Sequence, residues 1–370
     1  MTGPRPARSA TLPYLRRTDY PATLAQAARE ARAPREKHAP TVISTFAGRG
    51  GSSTGYHMAG FRELLAVEWD AHAAATLRLN YPGLDVYHGD IAALSVQEAL
   101  ERTGLKAGDL DLFDGSPPCQ GFSMMGRRQL DDPRNQLFQE FVRLLTGLRP
   151  RTFVMENVAA MTRGKMKQVY GEAMAALRAA APGYRTVSGV LSAAAFGVPQ
   201  ARERLIVIGV REDLGLTPTL PVPTCQRPIT VREALTGLPD TADGMTINDV
   251  YLPVWTRCAP GQDFGDIHPK GHLFSNRKIH PDRPSPTIVK TVGVDRQGRA
   301  NGGMYHWRWP RLMTIPEIKR LGSFPDDYQF APTGDPIHDF LNAWAGIGNS
   351  VPPLMTRAIA RHIRQTILQR

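Results

Sequence analysis

Asp109-Leu110-Asp111-Leu112-Phe113-Asp114-Gly115-Ser116-Pro117-Pro118-Cys119-Gln120-Gly121-Phe122-Ser123 reads as a short apolar strand that runs into a stiffened turn and delivers a thiol. Each proline ring locks its own φ, and Pro118 also restricts Pro117, so the approach to Cys119 is rigid. The small residues after Cys119 read instead as a loop able to open and close over a ligand. In a parallel sheet, ligands gather at the carboxyl ends of the strands. A rigid cysteine delivered to that edge reads as a nucleophile, against the commoner role of a lone cysteine as a small buried hydrophobe.

Outward from this stretch, strands and helices alternate. Strands are expected over 41–46, 63–68, 85–88, 109–114, 152–155, 184–191 and 204–209. Helices are expected over 53–60, 70–80, 94–102, 135–148 and 165–180, with one more over 22–33. This rhythm predicts an α/β fold with a doubly wound, mostly parallel sheet. It stops near Leu214, where Pro218, Pro221, Pro223, Pro228, Pro239, Pro253, Pro260 and Pro269 interrupt a region of little periodicity. A second, smaller, loop-rich β domain is expected there, followed by helices over 316–323 and 351–369.

The chain has 370 residues, enough for one large domain and a smaller one. No apolar run approaches the ~20 residues that a membrane span needs. The segment 1–40 lacks the apolar core of a signal peptide, so a soluble protein that is not exported is expected. That segment is a basic extension, carrying Arg5, Arg8, Arg16, Arg17, Arg29, Arg32, Arg35 and Lys37, and is expected to be partly disordered. It reads as a solvated tail or as a contact for phosphates. A net charge of +11 and a pI near 9.8 fit a polyanionic partner or a solvated basic surface. The three cysteines, Cys119, Cys225 and Cys258, are an odd number, which argues against a disulfide framework and for a reducing compartment. With no CxxC pair and no ligand spacing among the histidines, no metal is expected.

Phe46-Ala47-Gly48-Arg49-Gly50-Gly51, Glu68-Trp69, Gly89-Asp90-Ile91, Pro117-Pro118-Cys119-Gln120, Glu156-Asn157-Val158, Gln200-Ala201-Arg202-Glu203-Arg204, Arg283-Pro284-Ser285-Pro286-Thr287 and Gly348-Asn349-Ser350-Val351-Pro352-Pro353 follow one another along the chain. Each is modest evidence alone. In this order they resemble the DNA (cytosine-5) methyltransferases, from about Thr41 to Arg370. One departure is visible: Ser44 stands where that family usually has Asp.

The resemblance implies a class I methyltransferase, Rossmann-like catalytic domain, discontinuous over 41–214 plus 335–370. Residues 215–334 would form the target-recognition domain and hinge. The implied cofactor is S-adenosylmethionine, released as S-adenosylhomocysteine. Phe46, Ala47, Gly48, Gly50 and Gly51 would bring backbone close to it, at a helix N-terminus that favours a carboxylate. Glu68, about 20 residues on at a strand end, suits the ribose hydroxyls. Asp90 would accept from the adenine amino group, with Trp69 and Ile91 packing the ring. Pro117, Leu137, Asn349, Ser350 and Val351 complete the implied set.

Carbon 5 of cytosine is too weak a nucleophile to take a methyl group directly. Addition of the Cys119 thiolate to C6 leaves an enamine that is nucleophilic at C5. Glu156 would hydrogen-bond or protonate N3, and Asn157 would orient the loop or the base. Arg202 and Arg204 are expected on one side of a strand, one on cytosine O2 and the other on a phosphate or Glu156. A base inside a duplex is out of reach, so the target would be flipped out. Gln120, Ser123, Arg127, Arg128 and Arg134 would then close over double-stranded DNA. Thr287, Arg277, Lys278, Lys290, Arg296 and Arg299 are further expected DNA contacts from the small domain, whereas Trp255, Trp307 and Trp309 read as its packing.

A monomer in the cytoplasm, associated with the nucleoid, is expected, and a cognate restriction endonuclease is admissible as a partner. Three other readings compete. A tRNA methyltransferase of the same fold would carry a Cys-Phe-Thr signature, which the chain lacks. A catalytically dead regulator would have lost Cys119 or Glu156. A nicotinamide-dependent oxidoreductase would need GxGxxG, and the glycine spacing here differs.

Overall fold

The computed structural model describes residues 19–118, 133–164, 166–269, 271 and 276–369. The chain runs α1 (Tyr20–Arg32), β1 (Thr41–Thr45), α2 (Gly51–Met58), β2 (Arg62–Glu68), α3 (Ala71–Asn80), β3 (Asp85–His88), α4 (Val96–Thr103), β4 (Leu112–Gly115), α5 (Pro133–Leu148), β5 (Thr152–Val158), α6 (Met166–Ala179), β6 (Tyr184–Ser192), β7 (Gln200–Ala201) and β8 (Glu203–Arg211). The smaller part contains α7 (Val231–Ala234), α8 (Leu252–Arg257), β9 (Arg277–Lys278), β10 (Ser285–Pro286), β11 (Gly293–Val294), β12 (Ala300–Gly302), β13 (Met304–Tyr305) and α9 (Ile315–Leu321). Two helices, α10 (Pro336–Asn349) and α11 (Pro353–Ile363), return to the large part.

A seven-stranded sheet has the order β3-β2-β1-β4-β5-β8-β6. Strands β1 to β5 pair in parallel, each followed by a helical crossover. Strand β8 lies antiparallel between β5 and β6, because only a short 3-10 turn and β7 separate it from β6. The expected doubly wound, mostly parallel sheet is therefore present.

Alternation along the strands sorts the core onto two faces. Val42, Leu112, Val154, Ile206 and Ile208 join α1, α2 and α11 on one face. Ile43, Phe113, Phe153, Met155, Leu205 and Val207 meet Phe138, Phe141, Leu144 and Leu145 of α5 and Val169 and Leu177 of α6 on the other. Fully burying one such side chain contributes about 1.5–3 kcal/mol. Helix α11 crosses α2 closely: a Cβ built on Gly55 would meet Thr356 Cβ at 2.4 Å.

The basic extension is more than a solvated tail. Tyr20, Leu24, Ala27, Ala28 and Ala31 form an apolar stripe along α1 and are buried. Asp19 caps α1 by accepting from Ala22 N at 3.1 Å, with Pro21 in the first turn. Tyr20 Oη donates to Arg320 O at 2.5 Å, and Arg361 donates to Glu30 at 3.0 Å. Arg35 donates to Phe61 O at 3.0 Å and His57 O at 2.6 Å, so its charge serves the fold rather than a phosphate. Leu24→Ala is expected to cost about 2–5 kcal/mol in denaturant unfolding. A loss below about 0.5 kcal/mol would contradict an integral role for α1.

Among the described residues no helix is long and apolar enough to cross a membrane. Nor, among them, is there a group of three His, Cys, Asp or Glu placed to hold a metal ion.

Candidate active site

The chemistry-bearing residues collect along the carboxyl ends of β1, β2, β3, β4 and β5. Strand β1 runs into Phe46-Ala47-Gly48-Arg49-Gly50-Gly51, where Phe46, Gly48 and Gly50 have φ of +54°, +56° and +79°. Gly50 caps α2 in the left-handed region, where a Cβ would also meet Tyr328 Oη at 2.4 Å. A Cβ on Gly51 would meet Val351 O at 2.5 Å and Ser350 Cβ at 2.6 Å. The glycine turn thus lies directly against Ser350 and Val351 from the far end of the chain. Asn349 closes α10 and is exposed, and Ser350 Oγ donates to Gly346 O at 2.7 Å.

Glu68 ends β2 with its carboxylate turned back to the glycine turn. It accepts from Gly48 N at 2.7 Å, Trp69 N at 3.0 Å and Asp70 N at 2.8 Å. Trp69 is 79% exposed, a large aromatic with its face to solvent. Asp90 follows β3, exposed, and accepts from Ala92 N at 2.9 Å, while Ile91 is buried. Leu137 on α5 is half-buried against the core of that face.

At the end of β5, Arg204 Nε lies 2.7 Å from Glu156 Oε1, with both side chains mostly buried at 15% and 13% exposed. The antiparallel register that sets Val158 opposite Arg204 brings the two within reach across β5 and β8. Asn157 Nδ2 donates to Pro117 O at 2.9 Å, and its Oδ1 accepts from Val158 N at 2.9 Å. This amide ties the turn before Cys119 to the strand that carries Glu156. Arg202 is buried in the break between β7 and β8, and its Nη1 donates to Ile288 O at 3.2 Å. Among the described residues its buried Nε has no hydrogen-bond partner. Burial, then the neighbouring Arg204, push the Arg202 guanidinium down to about 9, while Glu156 acts in the opposite direction.

Cys119, Gln120, Ser123, Arg127 and Arg128 lie outside the described residues, as does the side chain of Arg134. Pro117, buried at the end of β4, is the last described group but one before the thiol.

The cations between residues 277 and 299 divide. Lys290 and Arg296 are exposed. Arg277 pairs with Asp263, and Arg299 with Asp249 at 2.7 Å. Lys278 departs from its expected place on a DNA surface. It is buried, its Nζ sits 3.9 Å from the Trp255 ring centroid, and it donates to Cys258 O at 3.1 Å. Arg277 and Lys278 are neighbours on a strand, so one faces out and the other in. Thr287 Oγ1 donates to Ala201 O at 3.1 Å, which joins the small domain to the Arg202 segment. Trp255 and Trp309 make internal bonds, to His306 O at 3.0 Å and Asp240 at 2.6 Å.

Two charged groups were passed over in the sequence. Arg49, inside the glycine turn, hydrogen-bonds Asn342 of α10 and lies 3.6 Å from Asp70. Asp114 is buried at the end of β4 and accepts from Tyr56 Oη at 2.7 Å. The available signal was a carboxylate inside an apolar strand.

The glycine turn, the Gly115–Pro118 turn and the glutamate–arginine pair share one edge of this sheet. Residues 40–365 match the family model for C-5 cytosine-specific DNA methylases, and the chain belongs to that family. It is 35% identical to Type II methyltransferase M1.HphI of Haemophilus parahaemolyticus, over 87% of this chain and 86% of the relative. It is 32% identical to Type II methyltransferase M.XorII of Xanthomonas oryzae pv. oryzae, over 89% of this chain and 85% of the relative. Among solved structures it resembles a prophage-encoded E. coli protein described as a DNA modification methyltransferase. The TM-score is 0.70 at 25% identity, covering 90% of this chain and 100% of the other. The chain is a DNA (cytosine-5) methyltransferase.

Proposed function

We propose that this chain methylates carbon 5 of a flipped-out cytosine in a specific duplex sequence, through a transient bond between Cys119 Sγ and C6. The observation that carries the reading is the Asn157–Pro117 hydrogen bond, which joins the cysteine turn to the Glu156–Arg204 pair.

The residues along the strand ends fit S-adenosylmethionine. Glu68 and Asp90 are acceptors suited to hydroxyl and amino groups, and exposed Trp69 with buried Ile91 would pack against the adenine. Gly51 has no room for a Cβ because Ser350 and Val351 pack directly against it, which joins the glycine turn to the return of the chain at one edge of the cradle. Phe46, Ala47, Gly48, Gly50, Pro117, Leu137, Asn349, Ser350 and Val351 complete the cradle. When bound, S-adenosylmethionine supplies an electrophilic methyl group.

Cys119 adds to C6 as its thiolate, and the pyrimidine becomes nucleophilic at C5. Glu156, positioned by Arg204, acts as the proton donor that hydrogen-bonds or protonates N3, where negative charge develops. Arg202 is the guanidinium assigned to cytosine O2, since Arg204 is taken by Glu156. Water takes the C5 proton so that sulfur can leave. Gln120, Ser123, Arg127, Arg128 and Arg134 close over the extruded nucleotide. Residues 41–214 with 335–370 form the catalytic unit, and 215–334 reads the target, with Lys290 and Arg296 among its exposed cations. The likeness to Type II methyltransferases supports a role in restriction–modification, beside a cognate endonuclease.

Incubation with S-adenosylmethionine labelled in its methyl group tests the reading. Label is expected in duplex DNA, as 5-methyldeoxycytidine on nucleoside analysis. Label confined to tRNA, or found on another base or atom, would overturn it.

A further inference from the structure

Asp114 is the last side chain of β4 before Gly115-Ser116-Pro117-Pro118, and it is 4% exposed. Leu112 and Asp114 share the sheet face that α2 and α11 cover. On that face Tyr56 Oη of α2 donates to Asp114 Oδ1 at 2.7 Å. From β1, Thr45 Oγ1 donates to Asp114 O at 2.9 Å. The register sets Ser44 directly beside Asp114, and the wholly buried Ser44 Oγ has no hydrogen-bond partner among the described residues. A carboxyl group therefore sits where strand alternation calls for an apolar side chain. It lies between the helix that closes the glycine turn and the strand that leads to the cysteine.

We propose that Asp114 is a positioning residue for methyl transfer: its carboxyl, bonded to Tyr56, holds the glycine turn and the Gly115–Pro118 turn at one spacing. The proposal rests on the roles given above to Cys119 and the glycine turn, since Asp114 acts only through Tyr56 and the chain. The groups that act on the carboxyl are Tyr56 of α2, Glu63 of β2 and Glu156 of β5. Glu63 is itself held by Ser53 Oγ at 2.9 Å and His57 Nε2 at 3.2 Å. Burial is the largest influence and raises the Asp114 pKa to about 8; Glu63 and Glu156 add to it, and the Tyr56 hydrogen bond opposes it. The carboxyl is thus held neutral, accepting from Tyr56 and keeping a proton of its own.

The sign follows from linkage. A folded-state pKa raised above the unfolded value contributes stability that is complete below about pH 4 and lost as pH climbs through about 8. Asp114→Asn, which keeps the acceptor and cannot ionise, should gain in melting temperature on the wild type steadily from pH 5 to 8, then hold a constant difference. Its kcat/KM at pH 7 should stay within about threefold of the wild type, and should remain level above pH 8 where the wild type declines. Asp114→Leu, which strands Tyr56 Oη, should raise the KM for S-adenosylmethionine and lower kcat, each by about tenfold. If Asp114→Leu does not fold, Tyr56→Phe carries that arm, with the same loss expected. Asparagine and wild-type curves that run parallel at every pH would overturn the proposal, as would unchanged kinetic constants in the leucine or phenylalanine variant. Should the wild type transfer no methyl group, the reading of Cys119 fails, and the melting curves still decide the state of Asp114.

Discussion

Cys119→Ser is expected to lower methyl incorporation by about 10³-fold or more, while binding of cofactor and DNA changes little. The sequence puts a thiol directly after Pro117-Pro118, and a serine hydroxyl is far less ionised near neutral pH than a thiol of ordinary pKa about 8.5. Binding should survive, because Asn157 Nδ2 holds the turn through Pro117 O rather than through the sulfur. The cradle around Gly48, Glu68 and Val351 does not use residue 119 in the bonds described. Incorporation of labelled methyl, measured beside calorimetric binding, separates the two effects. A serine variant that retained wild-type incorporation would remove Cys119 from the chemistry.

Glu156 carries the second large effect. Glu156→Gln keeps the shape and removes the charge, and a loss of about 10²–10³-fold in kcat is expected, the size seen when one charge-stabilising partner is lost. Arg204→Met leaves the mostly buried Glu156 carboxylate without its 2.7 Å partner. Breaking a buried pair on one side costs about 3–5 kcal/mol, so this variant should fall in both stability and rate. The double variant Glu156→Gln, Arg204→Met should be no slower than Glu156→Gln alone, because the arginine acts through the carboxylate. Additive losses in kcat would give Arg204 an independent contact with the substrate.

The large sheet was legible because its central strands are buried on both faces and read as apolar runs, as in Leu205-Ile206-Val207-Ile208. Strand β3 was read at its observed bounds, and β8 ran two residues past the reading at its carboxyl end, since Val210 continues the buried run. Helix α1 was read as a helix, but its burial was not. Its packing stripe is mostly alanine, which gives a weak apolar signal inside an arginine-rich extension. Helix α10 was not expected from the sequence. In the fold Asp335 is the N-cap, accepting from His338 N at 2.8 Å, and Pro336 takes the first helical position.

In the site, the glycine turn, Glu68, Glu156 and Asn157 were legible as motifs at strand ends. The meeting of Gly51 with Ser350 and Val351 needed the return of α10 and α11, which no local pattern reports. Lys278 was misplaced because two-residue strands such as β9 give too short a period to tell an inward cation from an outward one. Asp114 was read as part of the strand rather than as a functional group, since only the register with Ser44 and the bond to Tyr56 give it a role.

The central claim is a carbon–sulfur bond between Cys119 and cytosine C6. It is tested most directly with duplex DNA in which every cytosine is replaced by 5-fluorocytosine. After addition and methyl transfer, C5 carries fluorine in place of the removable proton, so sulfur cannot be expelled and the adduct persists. Mass spectrometry of the denatured mixture is predicted to show protein joined to a methylated oligonucleotide, with the modified peptide containing Cys119. An adduct at Cys225 or Cys258, or none under conditions where ordinary duplex is methylated, would contradict the account.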